Sequence, residues 1–439
     1  MNIPAFFDGK IGYWLNGRVP EKVARLCNDT RSLVPGDAFV ALLTDTADGH
    51  DFLRHAEEKG ASCALVSKPN GMLRLPQFIC GDTKIALTEI AKLARSMFKG
   101  KVIAVTGSIG KTTTKEILRL LLDVKHNATF ENKNGQLGIP MTLAVLNNGE
   151  NFAIVEVGVD VTGNMDRFAE LIRPDVAVVT KIERIHIAGM RDESTIAREK
   201  CKLPVWAIEN NGYGVFNGAC LKFEDFRRIS NSCIVVEERG TNVGYEVMSN
   251  GDGHSVFVAM DGERMEFTVP RLMSTGVAEN FALACVCARK FGVDSKKIQE
   301  KIAGWTPAKW RGEIVRTRER VYFADCYNAN LAALMDSLVQ FDKLFPHGGR
   351  LFVIGTLMEK ELGETAENAN RTVCEILPIR ASDAVVIVGE NADRFLGKIS
   401  CSSKKFFQSV REAREIVEKF SGVVYLKGHR HYKLENLIL

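Results

Sequence analysis

Several things are missing from this 439-residue chain, and each absence removes a class of function. Charge of one sign is not in excess: 58 Lys and Arg against 54 Asp and Glu leave a formal +4, too balanced to argue for nucleic acid or an anionic membrane surface. No uninterrupted apolar run of about 18 residues occurs, so a membrane-spanning helix is not expected. The opening residues MNIPAFFDGK carry neither a basic segment nor a long apolar stretch, so a signal peptide is not expected either. The eleven cysteines are odd in number and contain no Cys-x-x-Cys pair, which speaks against a disulfide framework or zinc site and for free thiols in a reducing cytoplasm. One further absence is local. The run VIAVTGSIGKTTTKEIL (102–118) looks like a strand, a phosphate loop and a helix, yet Val105 stands where a Walker loop requires its first glycine.

What is present divides the chain into three regions, more than one core usually organises. Residues 1–98 alternate short apolar runs (AFVALL, CALVS) with helical segments such as DFLRHAEEKGA, a small α/β unit. Residues 99–307 hold the unbroken apolar runs VIAVT, FAIVEV and VAVVTKI, suited to parallel strands covered on both faces. SCIVVEE, VGYEVMS and SVFVAM then read as an antiparallel addition, followed by the helix ENFALACVCARKFG and a Pro- and Gly-bearing linker near 304–313. Residues 308–439 repeat the alternation with VYFADCY, RLFVIG, DAVVIVG and VVYLKG, a second doubly wound sheet. The expected fold class is α/β with three domains.

The loop supplies the chemistry. Backbone N–H groups at a helix N-terminus, with glycines permitting close approach, make an anion site. Lys111 can pair with β- and γ-phosphates and the Thr112 hydroxyl can hold Mg2+. Glu156 ends the second central strand, on the edge where ligands bind in such sheets, and can hold a Mg2+ that bridges phosphates. His186 follows the third strand in the same way. A glycine turn before a capped helix has a similar composition, but three strand tips delivering Lys and Thr, Glu and His to one edge favour the nucleotide reading.

These residues resemble the Mur ligases, ATP-dependent enzymes that form amide bonds in peptidoglycan precursor synthesis. That family's loop reads Thr-Gly-[Ser/Thr]-x-Gly-Lys-Thr-[Ser/Thr], in which Val105 is at home. NDTRSLVPGDAFVAL with DGHDF (28–52), ENKNGQLGIPMTL (131–143), EVGVDVTGNMDRFAELIRPDVAVVT and ADCYNANLAAL (324–334) match further family blocks, so the resemblance covers almost the whole length. It implies a UDP-substrate domain (1–98), a P-loop ATPase domain with a mostly parallel sheet (99–307) and a Rossmann-like ligase domain (308–439). It implies ATP and Mg2+, and the substrates UDP-N-acetylmuramoyl-tripeptide and D-Ala-D-Ala, joined through an acyl phosphate by a cytoplasmic monomer. Thr106, Gly107, Ser108, Gly110, Lys111, Thr112, Thr113, Asn134, Asn280, Arg311, Asp325, Tyr327 and Asn328 match nucleotide-facing positions. Thr112, Glu156 and His186 match metal positions. Lys200, in STIAREKCKLP, matches a lysine that the family carbamylates to support the second metal. Lys111, His186 and Lys200 are therefore the candidate catalytic residues. In the first region, Thr30, Arg31, Asp48, Gly49 and His50 are the candidate UDP contacts: Arg31 can fork onto a pyrophosphate and the glycine turn lets backbone approach.

Some positions depart from the family pattern. Leu331 replaces the proline after Tyr-Asn-Ala-Asn, Thr356 an aspartate, Gly276 and Val277 a His-Asn pair, Lys181-Ile182-Glu183 an Asn-Ile-Gly, Lys202 a glutamate and His429 a serine. Lys202, a second cation beside Lys200, is expected either to favour its neutral amine or to remove a carboxylate that organises the site. The departures fall mostly on the acceptor side. Ligation of another amino acid or carboxylate, or a nucleotide-binding protein without ligase activity, are the alternatives.

Overall fold

The structure is a computed structural model that describes residues 11–15, 19–20, 23, 25–44, 47–131, 133–183, 190–240, 243–250, 253–269, 274–357, 365–390, 399, 401 and 403–438. His186 lies outside the described residues. Three sheets follow one another along the chain. The first has the order Tyr13–Trp14, Gln77–Ile79, Cys63–Val66, Ala38–Val40, Leu26–Cys27, parallel except for the antiparallel first strand. The helix Thr83–Met97 follows, its N-terminus capped by Asp82, which accepts from Lys84 N and Ile85 N at 2.7 and 2.9 Å. Its buried face (Ala86, Leu87, Ile90, Ala91, Ala94) shares one core with Val40 and Leu65 of the first sheet and with Val102 and Ala104 of the second.

The central sheet runs Glu263–Val269, Gly253–Met260, Gly244–Asn250, Cys233–Glu238, Tyr213–Asn217, Val176–Val179, Lys101–Thr106, Phe152–Glu156. In Lys101–Thr106, Val102 and Ala104 enter one core while Ile103 and Val105 enter the other. Both faces are covered, which is why the strand reads as a continuous apolar run. The helices Lys111–Leu121 and Thr275–Lys290 pack together over one face, and Asn164–Ile172 and Glu193–Glu209 over the other. The antiparallel addition differs from expectation at its start. Cys233–Glu238 pairs in parallel with Tyr213–Asn217 and so extends the main sheet; the antiparallel pairs are those joining Gly244–Asn250, Gly253–Met260 and Glu263–Val269.

The third sheet has the order Glu313–Arg316, Val321–Asp325, Val423–Lys427, Arg350–Gly355, Ala384–Val388, Ser403–Phe407, parallel except for the first strand. The last strand in sequence is inserted near the middle, which sets Lys427 in register with Asp325. Among the described residues no helix is long and apolar enough to cross a membrane.

Candidate active site

The strand Lys101–Thr106 sits between Phe152–Glu156 and Val176–Val179, where the order of the central sheet reverses. Its C-terminal tip is therefore at a switch point, the place where open α/β sheets receive ligands. Two glycines make the turn possible. Gly107 (φ 143°) and Gly110 (φ 87°) are in the left-handed half of backbone space, and a Cβ on either would come to 1.8 Å from Thr180 Oγ1 or 2.4 Å from Asn280 Oδ1. The loop is pinned from behind: Ser108 N donates to Lys181 O at 2.8 Å, Ser108 Oγ to Glu183 O at 2.8 Å, and Thr180 Oγ1 to Ile109 O at 2.6 Å. Those bonds use carbonyls of 181 and 183, so the replaced side chains there leave the pinning intact. Gly110 provides no side-chain cap for the helix Lys111–Leu121, whose first N–H groups face the cleft. Lys111 Nζ donates to Gly107 O (2.8 Å) and Ser108 O (3.0 Å).

Glu156 is the junction of the site. It is buried, 1% exposed, and its Oε1 accepts from the Thr112 hydroxyl at 3.1 Å and from Asn134 Nδ2 at 2.6 Å. Its backbone N donates to Thr129 Oγ1 at 2.9 Å. Its other oxygen, Oε2, is buried with no hydrogen-bond partner. An ionised carboxylate oxygen left this way is costly unless something cationic meets it. The sequence placed Lys111, Thr112, Asn134 and Glu156 in one site, and the structure brings them together.

Lys200, on the helix Glu193–Glu209, is 2% exposed, and its ammonium has no hydrogen bond or ion pair among the described residues. Burial, then the positive charge of Lys111, holds its pKa well below the ordinary lysine range. Lys202 does not take part: it pairs with Asp166 at 2.6 Å and Glu199 at 2.8 Å, and Glu199 accepts from Gly163 N and Met165 N to hold the start of the helix Asn164–Ile172. The expected influence of Lys202 on Lys200 is therefore replaced by that of Lys111. Burial also lowers the Lys111 pKa, with Glu156 opposing and Arg311 reinforcing the shift.

A cleft of about 440 Å³ is lined by Ser108–Thr113, Asn134, Glu156 and Asn280 on the central side and by Arg311, Asp325, Tyr327, Asn328 and Arg430 on the C-terminal side. The Arg311 guanidinium lies 4.2 Å from the centroid of the Tyr327 ring, and Lys427 pairs with Asp325 at 2.6 Å. Thr106 and Gly107 stand behind this lining, Thr106 bonded through its hydroxyl to Val157 O at 2.9 Å. The departures acquire physical accounts here. Asn330 caps the helix Leu331–Leu344 through Ala333 N, so Leu331 occupies the first helical position, which accepts proline but does not require it. Gly276 N donates to Asp336 Oδ2 at 3.2 Å across the two regions, and a Cβ at 276 would approach that oxygen to 2.9 Å. Thr356 Oγ1 lies 2.7 Å from the Tyr432 hydroxyl. His429 Nδ1 accepts from His431 N at 3.2 Å, and burial lowers its pKa.

A second cleft, about 870 Å³, lies among all three regions, with Arg25, Phe130, Lys133, Arg311 and Tyr327 in its wall. In the first region the predicted contacts are bonded to their own neighbours. Arg31 is held by both carboxylate oxygens of Asp29 (2.9 and 2.6 Å) and is 86% exposed. The Thr30 hydroxyl lies 3.0 Å from His55 Nδ1. Asp48 Oδ1 accepts from His50 N and is 2.5 Å from His50 Nδ1, while Ser67 N donates to His50 Nε2 at 2.9 Å. Gly49 is part of this turn, and its N donates to Leu42 O.

Sequence reasoning passed over Lys115, Thr180 and Asp336. Lys115 carried a readable signal, a charge on the buried face of an amphipathic helix three residues before Leu118 and four after Lys111. Asp336 had none, because its role depends on two regions meeting.

The model of the Mur ligase middle domain matches residues 105–288. A UDP-N-acetylmuramoyl-tripeptide–D-alanyl-D-alanine ligase of a Synechocystis species is 30% identical over 352 residues, 78% of this chain and 74% of that protein. A crystal structure of MurF from Acinetobacter baumannii superimposes with a TM-score of 0.78 at 26% identity, covering 97% of this chain and 95% of the other. The MurF ligase of Thermotoga maritima in complex with ADP shares the fold, with a TM-score of 0.73 at 22% identity over 95% of this chain and 96% of the other. The chain belongs to the Mur ligase family and resembles, within it, the UDP-N-acetylmuramoyl-tripeptide–D-alanyl-D-alanine ligases.

Proposed function

We propose that this chain joins D-Ala-D-Ala to UDP-N-acetylmuramoyl-tripeptide at the expense of ATP, as a single cytoplasmic chain. One observation carries the reading: the uncapped helix N-terminus, Lys111 and Glu156 face Arg311, Asp325 and Tyr327 across one cleft. The names of the similar ligases support the choice of substrates.

The loop amides and Lys111 bind and orient the triphosphate, and Lys111 exchanges the loop carbonyls it now contacts for phosphate oxygens. Arg311, Asp325, Tyr327 and Asn328 hold the nucleoside from the other wall, with Asn280 against the loop. The terminal carboxylate of the tripeptide attacks the γ-phosphorus and the bond to ADP breaks. The dipeptide amine attacks the acyl carbon, loses a proton, and phosphate leaves with one oxygen of the former carboxylate. Thr112 and Glu156 fit a divalent cation, because Glu156 Oε2 is buried without a hydrogen bond while Oε1 is fixed by Thr112 and Asn134. Mg2+ held there would offset phosphate charge during transfer. His186 and, once carbamylated, Lys200 complete the proposed metal set; burial and the charge of Lys111 lower the Lys200 pKa and so favour the neutral amine, the form that reacts with carbon dioxide.

Arg31, Thr30 and the Asp48-Gly49-His50 turn are proposed to face the UDP end of the substrate, with Arg31 as the group free to exchange its partner. The test is a screen of D-Ala-D-Ala, other dipeptides and single amino acids with UDP-N-acetylmuramoyl-tripeptide and ATP, reading phosphate and product mass. Turnover confined to D-Ala-D-Ala is expected; equal turnover with unrelated amines, or none, contradicts the reading.

A further inference from the structure

Lys115 is a lysine buried completely, and it approaches the site from behind, 3.6 Å from Glu156 Oε2. Such a group is retained only when its protons are matched. Its Nζ donates to Thr129 O at 2.8 Å and Glu131 O at 2.6 Å, and Glu116 Oε1 lies at 3.0 Å as an ion-pair partner. Glu156 Oε2 stands 3.6 Å away, inside ion-pair range but without a hydrogen bond. Lys115 thus gives Glu156 a counter-charge without occupying the oxygen that the site leaves open.

The same ammonium holds a strained piece of chain. Glu131 is a non-glycine residue at φ 50°, and its carbonyl is one that Lys115 binds. The segment containing it is tied to Glu156 at both ends, through Thr129 Oγ1 from Glu156 N and through Asn134 Nδ2 to Glu156 Oε1. Its other side faces the 870 Å³ cleft: the Phe130 ring lies 4.4 Å under the Arg25 guanidinium, and Lys133 Nζ reaches Asn28 Oδ1 at 3.3 Å.

We propose that Lys115 is a positioning residue that locks Glu156 and the 129–131 segment into one unit, so that the phosphate side of the site and the substrate cleft share a single geometry. The proposal rests on the substrate reading above and takes the larger cleft, whose wall includes Arg25 and Lys133 but not Thr30, Arg31 or the Asp48-Gly49-His50 turn, as the place of UDP-N-acetylmuramoyl-tripeptide away from its UDP end.

The experiment compares wild type with Lys115→Met and Lys115→Arg. It measures calorimetric binding of UDP-N-acetylmuramoyl-tripeptide without metal or nucleotide, ADP binding, kcat and melting temperature. In Lys115→Met, peptide affinity should fall about tenfold and kcat by more than tenfold, while ADP affinity stays within about threefold, because the polar partners of the Lys115 ammonium are Thr129, Glu131, Glu116 and Glu156 rather than residues of the 106–112 loop; tenfold corresponds to losing one charge-assisted hydrogen bond. Lys115→Arg should recover part of both losses. Peptide affinity and kcat within threefold of wild type overturn the proposal. So does an equal fall in peptide and ADP affinity, or failure of both variants to fold, since either assigns Lys115 to the core alone. Absence of peptide binding by the wild type would instead contradict the substrate reading.

Discussion

Two glycine turns in this molecule invite the same reading and are built in opposite ways. In the turn Asp48-Gly49-His50, every polar side chain is spent locally: Asp48 on His50 and Lys68, and both ring nitrogens of His50 on Asp48 and Ser67. At the loop Gly107–Gly110, the helix N-terminus is uncapped, Glu156 keeps an open oxygen and Lys200 is buried without a partner among the described residues. A polar group with all its bonds made holds a shape. One buried with bonds unmade is held ready for something else. On that criterion the central loop is where covalent change is centred, and the first region contributes shape and backbone.

The sharpest way to break the contrast is at Lys111. Lys111→Ala should lower phosphate release about 100- to 1000-fold, the usual loss when one donor to developing charge is removed, with an unchanged circular-dichroism spectrum. Turnover within a few-fold of wild type would remove the loop from catalysis. Lys200→Ala comes next: nearly inactive enzyme is expected, partly restored by short carboxylic acids that take the place of a carbamate. Normal activity without them would mean that the buried amine serves packing alone.

The N-terminal turn sharpens the comparison from the other side. Arg31→Ala should weaken UDP-N-acetylmuramoyl-tripeptide binding about tenfold with kcat preserved, as expected for one charge-assisted contact. His50→Ala should instead cost about 1 kcal/mol of stability by removing the bonds to its half-buried partners Asp48 and Ser67, measured by denaturant titration. A larger effect on affinity than on stability at His50 would reverse the assignment.

The smallest effect is expected where the central and C-terminal regions touch. Burial raises the Asp336 pKa above the ordinary 3.8, so the native state binds that proton more tightly than the unfolded chain. Its stabilising contribution is complete below that value and is lost as pH rises through the native pKa. Asp336→Asn keeps an acceptor for Gly276 N and should therefore raise the melting temperature at pH 8 by a few degrees, with a smaller gain at pH 4. A gap that widens towards acid would contradict the sign.

Much of this was legible in the sequence because it depends on local chain chemistry. The strand, glycine turn and helix of 102–121 follow from apolar period and φ requirements, as do the four apolar strands of the last region. Lys111, Thr112 and Glu156 were placed by their positions at strand tips. What was not legible depends on distant partners. Cys233–Glu238 shows the same residues whether its neighbour is parallel or antiparallel, and it pairs in parallel with Tyr213–Asn217. Lys202 was expected either to favour the neutral amine of Lys200 or to remove a carboxylate from the site; the first does not hold, because a helix turns neighbours two apart to different sides and Lys202 meets Asp166 and Glu199. Asp336 reaches Gly276 only because the last region folds against the central one.

The central claim is that the cleft activates a carboxylate by phosphorylating it. UDP-N-acetylmuramoyl-tripeptide labelled with 18O in its terminal carboxylate, turned over with ATP and D-Ala-D-Ala, tests this in one experiment. Released phosphate should carry one labelled oxygen, taken from the carboxylate when the amine displaces it. Phosphate free of label, alongside amide product, would show that the bond forms by another route.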